Sequence, residues 1–71
     1  MLRFDAAALY AALDRQRIAR GLTWAQVAAE TRVSVTTIKR TKEGGRMEVD
    51  GMLAMVHWLG AAVDDFVRDA R

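Results

Sequence analysis

The chain predicts an all-α domain of five helices, on three observations. Proline is absent, and only five glycines interrupt 71 residues rich in Ala, Leu, Arg and Met, so strong helix formers run unbroken over long stretches. Between the interruptions, apolar residues recur at spacings of three and four. Side chains that cap helices stand where each apolar run begins. These signals place helices at about residues 5–20, 24–30, 35–42, 49–59 and 63–69, in one domain covering 1–71.

The first helix starts with Asp5 as N-cap, and Phe4 and Leu9 stand at the two positions of a hydrophobic staple. Leu9 and Leu13 face the core at i,i+4 spacing with Ala12 beside them, and Tyr10 and Ile18 fall at the core edge. Arg15, Arg17 and Arg20 gather near its C-terminus, where cations suit the helix dipole. Arg17 and Arg20 either serve that dipole alone or reach a phosphate. Gly21 ends the helix.

The second helix opens on a capping box: Thr23 accepts from the amide of Gln26, and the Gln side chain reaches back. Leu22 and Val27 form its staple. Ala25, Ala28 and Ala29 are small enough for a neighbouring helix to come close. Residues 31–34 break the pattern, and Ser34 is a second N-cap. In the third helix Ile38 is the one large inward residue, flanked by Val33 and Thr41. Val35, Thr36, Lys39 and Arg40 then fall on the outer side. Thr36, Thr37 and Thr41 lower the helix propensity of this stretch, so packing must hold it.

Glu43-Gly44-Gly45-Arg46 is the one flexible loop, too short and without the preceding strand that a nucleotide-binding loop needs. In the fourth helix Val49, Met52, Leu53, Val56 and Leu59 give one wide apolar face, with Met52 and Met55 as core fillers. His57 lies off that stripe, on the surface. Gly60 stops the helix. In the fifth, Val63, Phe66 and Val67 turn inward, and Asp64 and Asp65 sit near the N-terminus, where negative charge is favoured.

A net charge of only +2 hides an uneven distribution. Residues 32–46 carry Arg32, Lys39, Arg40, Lys42 and Arg46 against Glu43 alone. Residues 47–71 carry Arg68 and Arg71 against Glu48, Asp50, Asp64, Asp65 and Asp69. The positive field therefore sits over the third helix and its following loop. A short helix with β-branched, hydroxyl and cationic outward side chains suits the DNA major groove, where Arg and Lys bond guanine and a Val methyl meets a thymine methyl. A solvated surface with a few cations fits those residues equally well.

Residues 9–67 resemble the Cro and phage-repressor type helix-turn-helix family, also called the XRE family. Its pattern is L-T-x-x-x-[LV]-A-x-x-x-x-V-S-x-x-T-I-x-[RK], a Gly-containing loop, an apolar helix ending in L-G, then x-x-[LV]-D-[DE]-[LF]. This chain supplies Leu22-Thr23, Val27-Ala28, Val33-Ser34, Thr37-Ile38, Arg40, Gly44, Leu59-Gly60 and Val63-Asp64-Asp65-Phe66. It departs from the pattern at Trp24, where the family often has Gln, and at Thr31-Arg32, where a Leu-Gly turn is usual. It departs again at Thr41 for Ile, Gln16 for Leu, and Trp58 for a small residue. Arg32 in place of Gly brings strain if its φ is positive.

The resemblance implies a lambda-repressor-like domain whose helix-turn-helix is formed by helices two and three. It also implies a sequence-specific transcriptional regulator that reads double-stranded DNA, usually as a two-fold dimer on a palindromic operator. Val35, Thr36, Lys39 and Arg40 are then base-facing, and Thr23, Trp24, Arg32, Lys42 and Arg46 are the phosphate contacts.

A chain this short buries only about 60% of its unfolded surface, so a homodimer is expected, through Val67 and Trp58. Without Cys there is no disulfide, thiolate metal site or thiol nucleophile. One His and dispersed acids give no nucleophile–base pair, so no enzyme, no metal, no cofactor and no small-molecule ligand is expected. Apolar runs fall far short of the roughly 20 residues that span a bilayer. The opening residues do not read as a leader, so a cytoplasmic protein is expected, and the resemblance implies a bacterial or phage-encoded one. The alternative is a helical protein-interaction module, antitoxin-like, with DNA binding secondary or absent.

Overall fold

The computed structural model describes residues 1–69. It contains four α-helices and one small antiparallel ribbon: β1 (Leu2–Phe4), α1 (Ala6–Ala19), α2 (Trp24–Thr31), α3 (Val35–Arg40), α4 (Val49–Leu59) and β2 (Val67–Asp69). Two 3₁₀ turns, Thr41–Glu43 and Val63–Phe66, link the later elements.

Local chemistry accounts for the helix starts. The Asp5 carboxylate accepts from the Ala8 amide at 3.0 Å. The capping box of α2 is complete: Gln26 N–H donates to Thr23 Oγ1 at 3.1 Å, and Thr23 N–H donates to Gln26 Oε1 at 2.8 Å. Ser34 Oγ accepts from the Thr37 amide at 3.1 Å. Each bond satisfies an amide that a helix N-terminus leaves without an intrahelical partner. Gly21, with φ +67°, and Gly60, with φ +69°, follow α1 and α4 in the left-handed conformation that ends a helix.

The core gathers Leu9 and Leu13 of α1, Val27 of α2, Val33, Ile38 of α3, Met55 and Val56 of α4, and Phe66. Gln16 Nε2 ties α1 to the end of α4 by donating to the Trp58 carbonyl at 3.3 Å. The two buried polar residues are satisfied locally. Thr41 Oγ1 donates to the Ile38 carbonyl at 2.6 Å. Thr31 Oγ1 donates to the Val27 carbonyl at 2.9 Å and accepts from the Val33 amide at 3.2 Å.

The five-helix expectation is corrected. Residues 63–69 are a 3₁₀ turn followed by a strand. Val67 pairs with Phe4, Arg68 with Arg3, and Asp69 with Leu2. The buried Phe66 accepts the Asp5 amide on its carbonyl at 2.7 Å, and its ring lies 5.8 Å from that of Phe4. The N-terminal segment offers residues 67–69 a ladder partner instead. Phe4 thus belongs to this ribbon rather than only to a staple on α1.

Three smaller corrections follow from packing. The third helix ends at Arg40 and tightens to a 3₁₀ turn over Thr41–Glu43. In α4, Met55 and Val56 are buried and Met52 and Leu59 pack against the core as expected, but Val49 and Leu53 are 60% and 47% exposed. Ile18, placed at the core edge by its spacing, is 63% exposed. No helix among the described residues is long and apolar enough to cross a membrane.

Candidate nucleic-acid interface

The third helix is fixed by what lies under it. Ile38 is fully buried and Thr41 nearly so, with Val33 buried just before the helix. These anchors on one side turn Thr36, Lys39 and Arg40 outward, and all three are exposed, with Val35 half-buried beside them. Ser34 Oγ donates to Thr37 Oγ1 at 2.8 Å. One hydroxyl of this face is thereby committed to the cap, while the Thr36 hydroxyl makes no hydrogen bond among the described residues.

The turn that sets α3 against α2 passes through Arg32, whose φ of 60° and ψ of 27° are left-handed. It is the only non-glycine residue with positive φ among the described residues. An L residue in that region costs roughly 1–2 kcal/mol. Its amide donates to the Ala28 carbonyl at 2.8 Å, closing α2. The strained backbone holds an exposed guanidinium at the junction of the two helices.

The cations of this edge share one property. Among the described residues, Arg32, Lys39, Arg40, Lys42 and Arg46 form no ion pair and no side-chain hydrogen bond. Carboxylates are close by: a groove of about 340 Å³ beside α3 is lined by Thr37, Arg40 and Arg46 together with Glu43 and Glu48. Glu48 is engaged at the start of α4, where its Oε1 accepts the Asp50 amide at 3.2 Å.

The phosphate candidates divide by position. Arg40 and Arg46 line one groove, and Arg32 lines a second, adjoining groove with Ser34, Asp50 and the shared Thr37 and Glu48. Thr23 and Trp24 stand at the N-terminus of α2. The Trp24 ring stacks on Tyr10 with centroids 5.3 Å apart, and the Arg17 guanidinium lies 4.8 Å from its centroid. The indole N–H of Trp24 has no acceptor in the described chain and is not sealed from solvent. Trp24 therefore packs α1 against α2 while keeping one donor open.

The sequence did not reveal the second aromatic cluster. Trp58 Nε1 donates to Glu30 Oε1 at 2.9 Å, and Arg20 donates to both oxygens of Glu30, at 3.0 and 3.4 Å. Arg20 also lies 5.4 Å from the Trp58 ring centroid. The Trp58 hydrogen bond, with help from Arg20 and against a smaller effect of desolvation, holds the Glu30 carboxyl below its ordinary value of 4.5. Arg17 is likewise committed, to Asp14 at 2.8 and 3.1 Å and to the Leu22 carbonyl at 3.1 Å. Arg17 and Arg20, left open between helix dipole and phosphate, thus spend their donors inside the domain. Trp58 and Val67, expected at a dimer interface, are both half-buried and engaged within the chain.

No group of three or more His, Asp or Glu among the described residues could hold a metal ion. Comparison with family models, with curated proteins and with solved structures finds no match. The functional reading therefore rests on the residues themselves.

Proposed function

We propose that the chain is a sequence-specific binder of double-stranded DNA, a small transcriptional regulator of the Cro and phage-repressor type. The observation that carries this reading is the outward face of α3, where Thr36, Lys39 and Arg40 stand exposed and without partners, braced from behind by Ile38. Lys39 and Arg40 supply donors for guanine edges, Thr36 a hydroxyl, and Val35 a methyl surface for thymine. Arg32, Lys42 and Arg46 neutralise phosphates on either side, and Thr23 with the open Trp24 indole N–H add neutral donors at the N-terminus of α2. The small domain binds as a two-fold pair on half-sites one helical turn apart.

Selection of bound duplexes from a random pool tests this reading. It predicts a short consensus with palindromic symmetry. A pool that stays random after several rounds contradicts it. A second reading, a helical module that binds a partner protein, is favoured by one feature: Val49 and Leu53 lie exposed along one face of α4. Binding that ignores salt would support that module, because phosphate contacts release counterions and weaken steeply as salt rises.

A further inference from the structure

A third groove, of about 360 Å³, lies between the N-terminal ribbon and the loop after α3, lined by Arg3, Phe4, Gly45, Arg46, Met47 and Met52. Its lining holds two cations and no acid. Its floor is apolar, from Phe4, Met47 and Met52, which pack against the core. Arg46 is shared with the groove beside α3, where Arg40 stands with Glu43 and Glu48, so Arg46 joins that groove to the acid-free one that holds Arg3.

The ribbon adds an independent observation. Arg3 stands directly opposite Arg68 across the ladder, and like charges in that register destabilise a sheet. Arg68 is drawn away by Asp5, at 3.4 Å, and by the Asp65 carbonyl, at 2.8 Å. Arg3 makes no ion pair or side-chain hydrogen bond among the described residues. It is an exposed cation in an unfavourable register, with no ion pair among the described residues to offset it.

We infer that this groove seats one further nucleotide of the DNA backbone, with Arg3 on the phosphate next to the one held by Arg46. The inference rests on the duplex-binding reading above. A DNA strand alternates an anionic phosphate with a less polar sugar, and the groove lining combines two arginines with the apolar Phe4, Met47 and Met52. The deoxyribose lies over Phe4, Met47 and Met52. The ribbon that closes the two ends of the chain thus extends the footprint beyond the helix-turn-helix. Arg3 adds affinity without reading sequence.

The test compares the wild-type chain with Arg3→Gln and Arg3→Lys, measuring the dependence of log K on log salt for a selected duplex and for a random one. Arg3→Gln is expected to flatten the slope by about 0.9 per protomer and to weaken both duplexes by the same factor, while Arg3→Lys keeps the wild-type slope. Arg3→Gln removes one of two opposed cations, so its Tm is expected to equal or exceed that of the wild type. A slope in Arg3→Gln equal to the wild type overturns the inference and leaves the duplex reading standing. A lowered Tm with a slope that Arg3→Lys fails to restore makes Arg3 structural and also overturns it. A wild type without salt-dependent duplex binding removes both.

Discussion

The seam where α1 meets α2 and α4, and the edge formed by α3 and its following loop, both carry arginines, and they use them in opposite ways. Along the seam, Arg17 is spent on Asp14, the Leu22 carbonyl and the Trp24 face, and Arg20 on Glu30 and the Trp58 face. Along the edge, five cations stand without a partner although Glu43 and Glu48 line the same groove as Arg40 and Arg46. A guanidinium already holding a carboxylate has little left for a phosphate; one that holds nothing keeps its donors for a ligand. Cation count therefore says less about nucleic-acid binding than which cations the fold leaves open.

This contrast can be broken by substitution, since seam variants should move stability and edge variants should move binding. The largest effect is expected at Ile38, where the two regions join. Ile38→Ala empties a fully buried site and should cost about 2–5 kcal/mol, seen as a lower denaturant midpoint, and should disorder the edge with it. Next come Lys39→Ala and Arg40→Ala. Each should weaken binding to a selected duplex by about 1–3 kcal/mol and relax specificity at one base. Their stability should stay within about 0.5 kcal/mol of wild type, because both side chains are exposed and unpaired.

Arg32→Gly sharpens the comparison, because one residue there serves both ends. Glycine relieves the left-handed strain and should raise stability by about 1 kcal/mol, while the lost cation flattens the salt slope by about 1. Higher Tm with weaker binding in one variant would show strain retained for contact.

The smallest effect belongs to the seam. Trp58→Phe keeps a ring under Arg20 but deletes the indole donor to Glu30. Because that carboxyl sits below its ordinary value in the folded chain, its contribution is fully present above pH 4.5 and is lost as pH falls through the depressed value. The variant should have a lower Tm at neutral pH and a shallower fall in Tm on acidification, with duplex binding unchanged.

Much of the helical frame was legible because its signals are local. Thr23 with Gln26, Ser34, Asp5, Gly21 and Gly60 mark ends by their own hydrogen bonds or backbone freedom, so they stand where spacing puts them. What stayed hidden depends on tertiary partners. Leu2–Phe4 and Val67–Asp69 are three residues each, too short to show a period of two, and become strands only by meeting each other. Val49 and Leu53 fit the helical period of α4, but α1 and α2 pack on the side that buries Met55 and Val56. Among the candidate site residues, the exposure of Thr36, Lys39 and Arg40 followed from the inward Ile38. The commitment of Trp58 to Glu30 spans 28 positions and leaves no trace in local spacing. Arg3 was unremarked because its setting depends on the ribbon.

The most direct measurement of the central claim is the salt dependence of wild-type binding to duplex DNA, followed by fluorescence anisotropy. If Arg32, Lys42 and Arg46 each meet a phosphate, log K should fall against log salt with a slope close to −3 per protomer bound, or steeper. A slope near zero, or no binding at low salt, would show that the open cations of α3 and its loop serve some other partner.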